Sequence, residues 1–248
     1  MKQLKVLSAM GLFALAGAAH ADVTSTITLT SDYDYRGWSQ SAEEPAIQVS
    51  IDYAHASGWY LGTWGSNIAG FSDGGINTAS TEVDLYTGFK LPLGDAALDL
   101  GLVYYTYSGA SDLNFAELYG KFSYSIVTAG IYFSPDFGGK YYGDSGDTAL
   151  YGFADVNIPA GPLTIGLHAG YSTGDGIETA YYSAVYDETD PTLLLAAAED
   201  SYLDYGIGLS YSGSNFTTGI KWVGRDGGDR GSDDRILVTI STTIPWAE

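Results

Sequence analysis

The side chains that could carry chemistry in this 248-residue chain fall on one parity of short alternating segments. They are Asp32, Asp34, Arg36, Asp52, Glu82, Asp84, Lys90, Asp99, Glu117, Lys121, Asp155, His168, Asp204 and Lys221, with Arg235 on the same parity. Set side by side they are nine acids against five bases, plus one histidine. Such a set suits a watery, mildly negative lining better than a reaction centre. Catalysis has little to build on. His55-Ala56-Ser57 has the residue types of a nucleophile and its base but sits at a tight turn. His168 is flanked two residues away by Gly166 and Gly170. The sequence holds neither Gly-x-Ser-x-Gly nor a metal-ligand spacing, so no enzyme, cofactor or resident metal is expected.

Strands must position these residues. Twelve segments read as strands, at 23–36, 45–56, 58–66, 81–92, 95–107, 113–124, 126–134, 148–158, 161–171, 201–212, 215–224 and 234–246. Most alternate strictly, which gives one apolar and one polar face. Leu98, Leu100, Leu102 and Tyr104 oppose Ala97, Asp99, Gly101 and Val103. Ile236, Val238, Ile240 and Ile244 oppose Leu237, Thr239, Ser241 and Thr243. The connections sort by length. Those at 56–58, 92–95, 125, 159–162 and 213–215 are short, whereas those at 37–44, 67–80, 108–112, 135–147, 172–200 and 225–233 are longer or more polar. Short turns at one end and long loops at the other, with an even strand number, predict an antiparallel up-and-down transmembrane β-barrel. Closure also satisfies every backbone polar group in hydrocarbon and leaves no edge.

Composition agrees. Lys2 and Lys5 precede the apolar run Val6 to Ala18, and Ala19-His20-Ala21 is a cleavage pattern before Asp22. Residues 1–21 therefore read as an export signal and 22–248 as one barrel domain. After that leader, no apolar run reaches the roughly 18 residues of a spanning helix. There is no Cys, and the 21 Tyr and 33 Gly suit a barrel with aromatic girdles. A formal charge of −20 opposes nucleic-acid binding.

The early part of the chain resembles the TorF family of porins of the Gram-negative outer membrane. The resemblance rests on Tyr35-Arg36-Gly37-x-Ser39-Gln40, Pro45-Ala46-x-Gln48, Asp52-Tyr53, and Gly58-x-Tyr60-x-Gly62-x-Trp64-x-Ser66-Asn67. It implies an outer-membrane barrel in contact with lipid and lipopolysaccharide.

The resulting expectation is an outer-membrane channel for passive diffusion of small solutes or ions, weakly favouring cations. The alternative is a non-conducting structural or adhesive barrel. Arg36, at the expected mouth, pairs with a neighbouring carboxylate or meets lipopolysaccharide phosphate. Loop 172–200 either folds inward as a plug or lies across the rim, and the run from Asp226 to Asp234 is rich enough in acids to hold a divalent cation or simply to be solvated.

Overall fold

The computed structural model describes residues 22–72, 78–142, 146–178, 200–226 and 234–246. Its twelve wall strands are β1 (Asp22–Thr30), β4 (Ala46–Ala54), β5 (Trp59–Ser72), β6 (Thr78–Leu93), β7 (Ala96–Tyr107), β8 (Phe115–Tyr124), β9 (Val127–Ser134), β10 (Ala149–Ala160), β11 (Leu163–Thr173), β12 (Ser201–Ser212), β13 (Thr217–Arg225) and β14 (Arg235–Pro245). Each pairs antiparallel with its neighbours in sequence, and β1 closes on β14 through Thr24↔Pro245 to Thr30↔Thr239. The sheet is a closed barrel. Two further two-residue strands, β2 (Asp34–Tyr35) and β3 (Trp38–Ser39), pair only with each other.

The apolar parity faces outward. Ile47, Val49 and Ile51 on β4, Leu100 and Leu102 on β7, and Ile236, Val238 and Ile240 on β14 are all exposed, Ile236 by 65%. A continuous coat of this kind around a barrel is stable in hydrocarbon and not in water. Exposed aromatics flank it. Trp59, Phe89, Tyr124, Tyr211, Phe216 and Trp246 stand near the short turns, and Tyr104, Phe133, Tyr171 and Trp222 nearer the long loops. Two aromatic girdles at the depth of the headgroups follow from that placement.

The strand count and closure are as the alternation predicts, and three details differ. The first strand stops at Thr30 rather than at residue 36, because residues 31–45 leave the wall and fold into the lumen. Tyr33, on the apolar parity of that segment, is buried inside instead of facing lipid. β5 and β6 run on to Ser72 and from Thr78, so the connection expected at 67–80 narrows to 73–77. Finally, many tyrosines belong to the lumen and not to the girdles: Tyr60, Tyr105, Tyr119, Tyr132, Tyr151 and Tyr202 are buried. A phenol can do this because its ring fills space while its hydroxyl keeps a polar partner.

Burial is uneven along the axis. Buried lumen side chains such as Ser66, Glu82, Glu117, Ser172, Asp204 and Leu237 cluster in the half nearest the long loops. Toward the short turns the lumen-facing Thr24, Thr26, Asn157, Thr217 and Ser241 remain partly exposed, whereas Asp52 and Tyr60, equally near that end on β4 and β5, are buried. The inside is filled at the long-loop end and along the β4–β5 wall, and accessible near the short turns beside β1, β10, β13 and β14.

A charged hairpin across the lumen

The filling is the first long loop. Arg36 and Gly37 join β2 to β3 with φ of 52° and 84°, and positive φ at both central residues is the two-residue turn that matches strand twist. Gly37 is required twice over, since a Cβ there would also come within 2.9 Å of Arg225 Cβ. Asp32 organises the base of the hairpin, its Oδ1 accepting from Ser39 Oγ at 2.6 Å and Ser41 Oγ at 2.9 Å. The Tyr33 and Ala69 amides donate to Ser41 Oγ and the Gln40 carbonyl, both at 2.9 Å. The Asn67 side chain accepts from the Ile47 amide at 2.8 Å and donates to the Pro45 carbonyl at 3.2 Å, which fixes the return to β4.

Among the contacts that tie the hairpin to the wall, four come in opposed pairs. Arg36 donates two bonds to Glu117 on β8, 3.0 Å to Oε1 and 2.6 Å to Oε2. Arg235 on β14 pairs with Asp32 at 2.9 Å and with Asp34. In the order of the closed sheet β8 and β14 stand six places apart among twelve, on opposite sides. Tyr33 donates to Glu82 on β6 at 3.0 Å, and Trp38 packs edge-on against Tyr202 of β12 at 6.0 Å. Those two strands are also opposite one another. The hairpin therefore spans the barrel along two diameters.

The charges match wall by wall. β4 to β8 carry Asp52, Glu82, Asp84, Asp99 and Glu117 against Lys90 and Lys121, while β13 and β14 carry Lys221, Arg225 and Arg235 and no carboxylate. The hairpin turns Arg36 to the acidic wall and Asp32 and Asp34 to the basic one. Burial works against the Arg36 charge, but Glu117 holds the guanidinium protonated, well above its ordinary value. Burial likewise pushes the Asp34 carboxyl up, opposed by Lys221 and Arg235. Arg36 also lies over the rings of Tyr151 at 4.2 Å and Tyr35 at 4.6 Å. With Glu117 only 1% exposed, losing either partner of that bidentate pair strands a buried charge, at about 3–5 kcal/mol.

Closer to the short turns the remaining residues form cross-strand groups. Lys90, Asp99 and Lys121 face one another in register across β6, β7 and β8, with Lys121 Nζ 3.8 Å from Asp99. His168 lies between Asp155 and Asp204, 2.7 Å from each. Tyr60 donates to Asp99 at 2.5 Å, and Ser50 to Asp52 at 2.7 Å. Lys221 lies over Gly206, its Cε within 2.6 Å of where a Cβ would stand. These contacts join polar side chains of the hairpin and of several wall strands on the face opposite the apolar coat.

Arg36 does pair with a carboxylate, but with Glu117 across the barrel instead of the adjacent Asp32 or Asp34. Those two acids are turned toward Arg235. Arg225 was not among the expected lumen residues, although its guanidinium sits 3.8 Å from the Trp38 ring centre. It continues the parity of Lys221 and Val223, one residue past the expected end of its strand. His55 and Ser57 meet at the turn before β5, with Nδ1 2.8 Å from Oγ. In the acidic run, Asp226 accepts from the Leu203 amide at 2.5 Å and Asp234 from Tyr205 at 3.4 Å. Both described acids thus bond to β12. Asp229 and Asp233, the apolar stretch Leu193 to Ala198 and the leader 1–21 lie outside the described residues. Of loop 172–200, the described Ile177 is buried against Ala149 and Tyr202.

Among solved structures, similarity runs to barrels of the same kind. A membrane protein from a study entitled "Unveiling the Mechanism Behind the in-meso Crystallization of Membrane Proteins" aligns with a TM-score of 0.57 at 11% identity, covering 92% of this chain and 85% of that one. The NanC porin aligns at 0.51 and 12% identity over 90% and 100% of the two chains, and the KdgM porin at 0.50 and 10% over 89% and 98%. At such identities the likeness establishes the fold. No curated protein matches the sequence. The resemblance to TorF porins is supported at the level of a porin-type barrel fold. A family model matches residues 14–242, and the chain belongs to Gcw_chp, a family of bacterial proteins of unknown function.

Proposed function

We propose that this protein is an outer-membrane channel for small solutes, passing cations and neutral polar molecules more readily than anions. The observation that carries the proposal is the accessible, hydroxyl-lined stretch of the lumen beside β1, β13 and β14, inside an apolar coat. An inert membrane anchor has no use for such a cavity, whereas a diffusion path needs one. The cation preference rests on charge. Nine lumen acids face Arg36, Lys90, Lys121, Lys221, Arg225 and Arg235, together with His168. The surplus sits on the β4–β8 wall at the level of the hairpin, so selectivity is set there. Export by a cleaved leader and contact with lipopolysaccharide belong to the same proposal.

Purified, folded protein in a planar bilayer should give discrete conductance steps, with a reversal potential in a salt gradient displaced toward cations. Silence from both the natural chain and the protein lacking the hairpin removes the channel, and a displacement toward anions removes the charge argument alone. One observation favours a second reading, a non-conducting barrel: the hairpin is tied to the wall along two diameters. A bilayer that stays silent after the hairpin is deleted decides for it.

A further inference from the structure

We propose that the 31–45 hairpin is a charge-latched gate and that the arrangement described above is the closed state of the channel. The inference rests on the channel reading and adds how passage is controlled. It begins with what the barrel does not need. Thr30 and Ala46 are direct partners in the β1–β4 ladder, so the wall is continuous without any of the fifteen positions between them. β2 and β3 pair with each other and not with a wall strand. Outside them the segment's backbone meets the wall's backbone through the Ser31 amide, which donates to the Val238 carbonyl at 3.0 Å, and the Gln40 carbonyl, which accepts from the Ala69 amide at 2.9 Å. The segment is thus a flap on two adjacent tethers, able to leave by giving up these contacts while the barrel ladder stays whole.

Charge and packing hold it in together. Arg36 reaches Glu117 on one side, and Asp32 and Asp34 reach Arg235 on the other. Tyr33 packs among Ala46, Ile68 and Leu113, and Trp38 against Tyr202. Buried ion pairs return much of their attraction when their groups regain water, so the charged contacts, which fix the hairpin to opposite walls, are the part that can be released at small net cost. The turn adds to this: Arg36 holds a positive φ, a conformation that a non-glycine residue keeps only where its surroundings impose it. The Glu117 fork and the Tyr35 and Tyr151 rings supply those surroundings. Once released, the flap exposes the acidic face of β6 and β8, Glu82, Asp84 and Glu117, to the solute path.

The test compares four proteins in planar bilayers, each first shown to be a folded barrel by its heat-dependent shift on electrophoresis. The first is the natural chain. In the second, residues 31–45 are replaced by an Asn-Gly turn, which suits two directly paired positions. The third carries Arg36→Glu, and the fourth carries Arg36→Glu together with Glu117→Arg. The gate predicts brief, rare openings in the natural chain and a steady open level with the short turn. It also predicts a raised open fraction in Arg36→Glu that falls back at least severalfold when Glu117→Arg restores the opposite charges. Equal and steady conductance in the natural and short-turn proteins overturns the gate and leaves the channel standing. Silence in both overturns the channel and the gate with it. An open fraction that stays high in the double variant shows that shape and not charge holds the hairpin, and overturns the latch.

Discussion

Gly88 shows how the lumen wall is built at the scale of single residues. A Cβ added there would lie 2.3 Å from the Tyr60 hydroxyl and 2.6 Å from the Leu100 carbonyl, so ring and backbone already occupy its place. The same relation recurs with Tyr86 over Gly62, Tyr119 over Gly101 and Tyr151 over Gly170. Each phenol lies down on a neighbouring strand where a glycine leaves a shallow bed; Tyr60, Tyr86 and Tyr151 turn their hydroxyls to Asp99, Asp52 and Asp204, and Tyr119 meets the Tyr60 hydroxyl. Gly88→Ala should therefore cost about 1–3 kcal/mol through overpacking. Gly152→Ala, where nothing lies within 4 Å, should cost almost nothing. Urea titration of the two variants refolded into lipid vesicles measures the difference, and equal midpoints would show that the rings move aside freely.

At the scale of elements, alternation made the wall strands readable because a closed barrel applies one rule, apolar out and polar in, along every strand. That rule sets Lys90, Asp99 and Lys121 on one parity, and they stand in register across three strands. The same rule hides the hairpin. Thr28, Thr30, Asp32, Asp34 and Arg36 keep period two without a break, so nothing in the pattern marks Thr30 as the last wall residue. The cue lies in turn chemistry: Arg36-Gly37 is a two-residue turn without the usual asparagine, held by Glu117 eighty-one positions away, and no local pattern carries such a contact. The buried tyrosines left a fainter trace, since Tyr60-x-Gly62 and Tyr86-x-Gly88 share one parity with the lumen charges. Within the wall, Asp99 stands in register between two lysines. Asp99→Asn leaves Lys90 and Lys121 facing each other without their carboxylate, and should move the reversal potential in a salt gradient toward anions. Bilayer recording on the short-turn protein, with the hairpin removed, isolates that effect, and an unmoved potential would place the solute path away from β6–β8.

At the scale of the whole molecule, the inverted arrangement of polarity makes the protein's medium a testable quantity. Ile207 lies halfway along β12 on the outer face, 48% exposed, while Ser210 on the same strand is partly exposed on the lumen side near the short turns. In a bilayer, Ile207→Arg sets a guanidinium near the middle of the hydrocarbon, at a cost of about 2–4 kcal/mol. Ser210→Arg sets the same group in water, where a substitution away from packed features stays within about 0.5 kcal/mol. The ranking reverses for a water-soluble sheet protein, whose exposed positions accept arginine and whose inward ones do not. Reversible urea unfolding from phospholipid vesicles, followed by tryptophan fluorescence, reads both variants against the natural chain. A large loss for Ile207→Arg beside a small one for Ser210→Arg is the expected result. Equal losses, or the opposite order, would mean that the apolar coat meets something other than lipid, and the membrane channel could not survive that finding.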